Sequence, residues 1–216
     1  MIRNGVATIE WAGEKLELLP ERALWWSREK TLFITDPHFG KTSAFRFAGI
    51  PAPELADHDD LGRLESMVKR HGVERLIILG DFFHAKTGRS KATLSALTEW
   101  RERHAKLDIV LVLGNHDRHA GKPPKEWRIQ CVKSPWPLAP FLCAHSPETK
   151  QDGFVLAGHW HPSFRFNDSI GSGVHAPCFY FSGKVAVLPA YGSFTGRHPV
   201  KPKGNDRIFL IGPDEV

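Results

Sequence analysis

Two alternating pairs of hard-ligand side chains frame the chain: Asp36-Pro37-His38 near its start and His159-Trp160-His161 late. Between them stand Gly80-Asp81, Gly114-Asn115-His116-Asp117 and a lone His145. Carboxylates, an amide and imidazoles, with no thiolate among them, suit Mn²⁺, Fe, Zn²⁺ or, less well, Mg²⁺. The ligands are too many for one ion and about enough for two. Such a pair, about 4 Å apart, serves phosphoryl transfer by holding a bridging hydroxide for in-line attack on phosphorus.

In an extended chain, Asp36 and His38 would leave the same face and chelate one ion together, and His159 and His161 would repeat that geometry. Asp81, after a glycine that allows a tight exit from a strand, is placed to bridge both ions. Asn115 offers an amide oxygen and His145 a further imidazole. His116 would point away from Asn115 if the chain stays extended, free to protonate the leaving oxygen, with Asp117 orienting its ring. A DxH triplet alone is common, and Gly-Asp alone is most often a turn; the five blocks in this order carry the reading.

Those blocks need elements to hold them. Four of the five directly follow apolar, β-prone runs, at 31–35, 76–79, 109–113 and 141–144. An antiparallel meander is predicted at the start, with strands at 6–11, 16–19, 23–27 and 31–35. Trp25 and Trp26 fall on opposite faces of one strand. An irregular stretch over 40–53 follows, broken by Gly49 and two prolines. Helices are predicted over 54–71, stopped by Gly72, and over 90–104. The β-ligand-helix rhythm predicts a parallel α/β core with its site at the carboxyl ends of the strands. After His116, prolines at 123, 124, 135, 137 and 140 mark an irregular connection, and short β-like runs continue to Ile211.

Composition bounds the rest. At 216 residues, 41% hydrophobic and 25% charged, the chain is ordinary globular protein, read as one domain over 1–216. No apolar run approaches a membrane span. Met1-Ile2-Arg3-Asn4 lacks a secretory h-region, so a cytoplasmic location is expected. Cys131, Cys143 and Cys178 form no CxxC pair and read as buried apolar residues. His58, His71, His104, His119, His175 and His198 have no partner at ligand spacing and read as surface or structural. The net charge of +5 favours a polyanionic substrate without identifying one.

The order DxH, GD, GNHD, lone His and GHxH resembles the calcineurin-like metallophosphoesterase superfamily, from Asp36 to His161. That resemblance implies an α/β fold, a four-layer αββα sandwich of two mixed β-sheets flanked by helices, with a dinuclear centre at the strand C-terminal edge. It implies one ion on Asp36, His38, Asp81 and His161, and a second on Asp81, Asn115, His145 and His159. Manganese comes first, with Fe or Zn as alternatives, and His116 as proton donor.

Asp36-Pro37-His38-Phe39-Gly40-Lys41, Gly80-Asp81-Phe82-Phe83-His84, the compact length and the stretch from Leu188 to Gly196 are most similar to bacterial ligase-associated DNA damage response endonucleases. The implied substrate is nucleic acid in DNA repair, with a DNA ligase or helicase as possible partner. His84, Lys41, Arg46 and Arg89 are candidate phosphate or substrate contacts, with Lys86 and Lys91 beside them. Phe45 and Phe47 could stack bases if exposed. Arg197, His198, Lys201 and Lys203 form a second basic cluster. The alternatives are a small-molecule phosphatase or nucleotide pyrophosphatase using the same centre, and a non-catalytic scaffold, which would have no need of His116.

Overall fold

The first two strands of the meander bury alternate residues, whereas the runs 23–26 and 31–34 are apolar enough to be buried on both faces and need a layer on each side. In the computed structural model, residues 2–3, 5–149, 152–167, 173–213 and 215–216 are described; Met1 and Asn4 of the N-terminal segment lie outside them. Eight described strands form a first mixed sheet in sequential order: β1 (Ile2–Arg3), β2 (Val6–Trp11), β3 (Glu14–Leu19), β4 (Ala23–Trp26), β5 (Thr31–Ile34), β6 (Arg75–Ile78), β7 (Asp108–Val112) and β8 (Gln130–Val132). The meander to β5 is antiparallel, and β5 to β8 are parallel.

A second mixed sheet joins β9 (Trp136–Leu138), β10 (Phe141–Cys143), β11 (Phe154–Ala157), β12 (Pro162–Asn167), β13 (Gly173–Ser182), β14 (Val185–Val187), β15 (His198–Pro199) and β16 (Arg207–Leu210). Its β10, β11 and β14 are parallel neighbours. The proline-rich connection after His116 thus contributes β8 and β9 rather than remaining wholly irregular.

Helices α2 (Ala56–His71) and α3 (Lys91–Arg103) cover the outer face of the first sheet. Leu61, Leu64, Met67 and Val68 form the buried stripe of α2 against Leu32, Leu76 and Ile109. Each such fully buried side chain contributes roughly 1.5–3 kcal/mol. Gly72 ends α2 in the left-handed region (φ 61°), and Ser90 caps α3 by accepting from the Thr93 N–H at 3.1 Å. Trp25 joins this layer while Trp26 faces the other, where Leu16, Phe33 and Val110 meet Phe141, Leu156 and Phe179 of the second sheet. The two mixed sheets of an α/β fold are therefore formed as expected.

Two local differences bear on the site. Residues 41–47 form a helix, α1 (Lys41–Phe47), inside the stretch expected to be irregular. Its seven residues are too few to show a period, and it is held by packing: Thr42, Ser43 and Ala44 are buried, and Gly40 touches the Gly88 backbone where any Cβ would stand 2.0 Å from the Gly88 oxygen. Residues 115–120 form α4 (Asn115–Ala120) where extended chain was expected. Asp117 caps its start by accepting from the Gly114 N–H at 2.8 Å.

Candidate metal centre

Register decides where the ligands meet. Ile34 pairs with Ile78 and Ile78 with Leu111, so the turns after β5, β6 and β7 emerge side by side. In the second sheet Cys143 pairs with Leu156 and Ala157 with Val187, which brings His145, Gly158 and the Leu188–Gly196 stretch to the same edge. Backbone bonds stitch the two edges: the Tyr191 N–H donates to the Thr35 carbonyl at 2.8 Å and the Gly192 N–H to the Asp36 carbonyl at 3.4 Å.

The ligand pairs do not use extended backbone. Asp36 (φ 49°), His38 (48°), Asp81 (54°), His159 (67°) and His161 (51°) all lie in the left-handed region. Each non-glycine residue held there costs on the order of 1–3 kcal/mol and persists only where its surroundings over-determine it. Here they do. The His38 N–H donates to the Asp81 carbonyl (3.0 Å) and the Asp36 N–H to the Gly80 carbonyl (3.2 Å).

Three groups of possible ligand atoms result among the described residues, each with its members within 4.8 Å of one another: Asp36, His38 and His161; Asp81, His145 and His159; and His38, His84 and His116, the last made of imidazoles alone. Asp81 faces both: its Oδ2 is 3.9 Å from His38 Nε2, and its Oδ1 is 3.5 Å from His145 Nε2. Asn115 Oδ1 lies 2.7 Å from His145 Nε2 and completes the second group. Asp36 Oδ1 is buried without a hydrogen-bond partner, 3.6 Å from His161 Nε2. A buried carboxylate oxygen aimed among imidazoles fits a cation, and the oxygen and nitrogen donor set fits hard or borderline divalent ions.

Neighbouring groups lock the ligands. Asp36 Oδ2 accepts from the Thr35 hydroxyl (2.6 Å) and the His159 N–H (2.8 Å). The Leu79 carbonyl lies 3.0 Å from His145 Nδ1, which leaves Nε2 to face Asp81. A Cβ on Gly158 would stand 1.6 Å from Thr35 Oγ1 and 2.5 Å from Asp36 Oδ2, so this close approach requires glycine. Thr35 and the Tyr191–Gly192 backbone were not singled out in the sequence as parts of the site; their position after β5 and after β14 is the signal that could have found them. Burial lowers the His38 pKa to about 2, against the pull of the Asp36 carboxylate, so its imidazole is neutral as a ligand must be. Burial first, and then the Asp36 carboxylate, raise Asp81 to about 6, against the pull of His145.

His116 is oriented differently from expectation. Its Nδ1 meets the His84 carbonyl at 2.7 Å, and its Nε2 turns toward Asp81 Oδ2 at 3.9 Å. Asp117 does not touch the ring: its carboxylate accepts from the N–H groups of Asp81 (3.0 Å), Phe82 (3.0 Å) and Gly114 (2.8 Å). It is a buried anchor for the Asp81 turn.

Of the expected substrate contacts, His84 and Lys41 border the centre. The His84 ring stacks on His116 at 5.2 Å, and burial, with Lys41 and His116 nearby, lowers its pKa to about 4. Arg46 and Arg89 do not face the centre. Arg46 donates to the Ala52 and Pro53 carbonyls after its own helix, and Arg89 to those of Ala120 and Lys122 at the end of α4, so both guanidinium groups are taken up by carbonyls. Phe45 packs edge-on against His84 and Phe194, while Phe47 is 77% exposed.

The chain matches the model of the calcineurin-like phosphoesterases over residues 29–187. It is similar to the nuclease MPE of Pseudomonas putida, with 40% identity and a TM-score of 0.84 over 96% of this chain and 97% of that one. Yfce, a phosphoesterase from E. coli, shares 15% identity with a TM-score of 0.39 over 74% of this chain and 79% of its own. No curated protein matches it. The matched span contains all the ligand atoms gathered above, and the chain belongs to the calcineurin-like phosphoesterase family, metal-dependent hydrolases of phosphoester bonds.

Proposed function

We propose that the chain is a two-metal phosphodiesterase acting on nucleic acid, in DNA repair as the sequence resemblance implies. One observation carries the two-metal part: Asp81 directs one oxygen toward His38 of the first ligand group and the other toward His145 of the second. On this reading Asp36, His38, Asp81 and His161 hold one ion, and Asp81, Asn115, His145 and His159 hold the other. The chemistry supplied on metal loading is polarisation of the phosphoryl oxygens and activation of water at neutral pH.

The protein's own groups do the rest. Thr35 and the His159 N–H hold one Asp36 oxygen so that the other is aimed inward. The His84 carbonyl fixes the proton of His116 on Nδ1, and in its protonated form His116 Nε2 delivers a proton to the departing ester oxygen. Lys41 and His84 border the space where phosphoryl oxygens would lie. Nucleic acid as substrate is supported by the likeness to the P. putida nuclease and by the basic composition.

The test is turnover of bis(p-nitrophenyl) phosphate beside its monoester by manganese-loaded protein, with Asp81→Ala as control. We expect diester preference, and loss of both metal content and turnover in the variant. Full metal content and turnover in Asp81→Ala would remove the bridging role. Preference for the monoester would move the reading to a small-molecule phosphatase.

A further inference from the structure

Away from the ligands, the β3–β4 turn, α2, β13 and the loop before β15 enclose a cavity of about 940 Å³. Four guanidinium groups line it, from Arg22, Arg63, Arg70 and Arg197, together with His71, His175 and, among the described residues, the one carboxylate of Glu21. Only Arg197 belongs to a basic cluster legible in the sequence; Arg22, Arg63 and Arg70 lie far from it along the chain. Folding alone gathers the charge.

The existing bonds leave this charge under-used. Glu21 pairs with Arg70 at 2.6 Å, and Asp60 with Arg63 at 2.9 Å; Arg63 also donates to the Tyr191 carbonyl at 2.5 Å and lies over the Tyr191 ring at 4.3 Å. Arg197 donates to the His175 carbonyl at 2.7 Å, and Arg22 to the Gly192 carbonyl at a long 3.4 Å. A guanidinium carries five N–H donors, so each retains several, and Arg63 Nε is buried with no partner. Burial first, then the Arg63 and Arg197 charges, lower the pKa of Arg22. An anion entering here would relieve that crowding.

The cavity ends beside the candidate metal centre. Arg22, Pro177 and Arg197 also line a recess of about 10 Å³ whose other walls include His161 and Gly196, and the Gly196 carbonyl lies 3.2 Å from His161 Nδ1. The recess is too small to pass a phosphate, so a strand leaving the centre on this side would lie over it and meet Arg197 and Arg22 before Arg63 and Arg70. The space exceeds what one phosphate needs, and guanidinium is suited to bidentate contact with successive phosphate oxygens.

We propose that this arginine-lined groove binds the phosphodiester backbone of a polynucleotide at phosphates beyond the one cleaved. The inference rests on the nucleic-acid reading of the metal centre and adds where the polymer lies. It also moves the polyanion track from Arg46 and Arg89, which are taken up by backbone carbonyls, to the arginine-lined groove.

The test compares native protein with the Arg70→Gln/Arg197→Gln double variant, both loaded with manganese. Substrates are an oligonucleotide over a range of NaCl concentrations and bis(p-nitrophenyl) phosphate. We expect KM for the oligonucleotide to rise about tenfold or more. The slope of log KM against log salt should fall by about 1.5, as for two lost phosphate contacts. Turnover of the small diester should stay within about twofold. Oligonucleotide cleavage with unchanged KM and slope would overturn the groove while leaving the nuclease reading intact. Equal losses on both substrates would make the arginines structural and overturn it too. Native protein that turns over the small diester but no oligonucleotide would overturn the nuclease reading and the groove with it.

Discussion

His116 and Asp117 are adjacent and do different work. His116 presents Nε2 to the centre, whereas Asp117 is 4% exposed and gathers three backbone N–H groups. His116→Ala should therefore keep near-normal metal content while turnover falls about 10²–10⁴-fold, checked by metal analysis beside kinetics. Loss of metal in that variant would make His116 a ligand. Asp117→Ala should act through the fold, because three buried donors lose their acceptor at roughly 1–3 kcal/mol each. We expect thermal unfolding at least about 6 °C lower for a chain of this size, together with weaker metal binding. An unchanged melting temperature would deny Asp117 its anchoring role.

The helices position the site by a few buried polar contacts as well as by apolar stripes. Asp57 on α2 accepts from the Gly40 N–H (3.0 Å) at the start of α1 and from the Thr93 hydroxyl (2.9 Å) on α3. One carboxylate thus ties three helices together beside His38. Asp57→Ala should cost about 2–4 kcal/mol and loosen α1, seen as faster amide exchange over residues 41–47 than over α3. Uniform exchange across both helices would show the tie to be dispensable. Asp60 and Arg63, one turn further on, reach the Leu188–Gly196 stretch through the Ser193 N–H and the Tyr191 carbonyl. That gives this stretch, singled out only as a resemblance, a physical role: it clamps the Asp36–His38 turn from behind.

Across the whole molecule, the centre sits on the seam between two sheets, so metal binding and folding are coupled. His38 and Asp81 come from one sheet edge, His145, His159 and His161 from the other. Ions that bind only the folded chain stabilise it by about 2.7 kcal/mol at a hundredfold excess over Kd. Chelation should accordingly lower the melting temperature by about 5–10 °C, and Mn²⁺ should restore it. A melting temperature indifferent to chelator would place the strongest metal site outside the fold's seam. The groove lined by Arg22, Arg63, Arg70 and Arg197 belongs to this scale too, since these arginines come from three separate segments.

Residue types and spacing were enough to name the family, the strand ends and the candidate ligands that the fold brings together, because an apolar run followed by a hard ligand is a local pattern. The two long helices were legible for the same reason, through their apolar spacing and the Gly72 stop. What local pattern could not carry was decided by packing. Short α1 exists only against the Lys86–Gly88 turn, and the ligand pairs take left-handed backbone because neighbouring strands hold them there. The carbonyl of His84, not Asp117, orients His116, and Arg46 and Arg89 are drawn to nearby carbonyls rather than to the site. The arginine groove was invisible for the plainest reason: like charges far apart in a sequence become one field only when the chain folds them onto one wall.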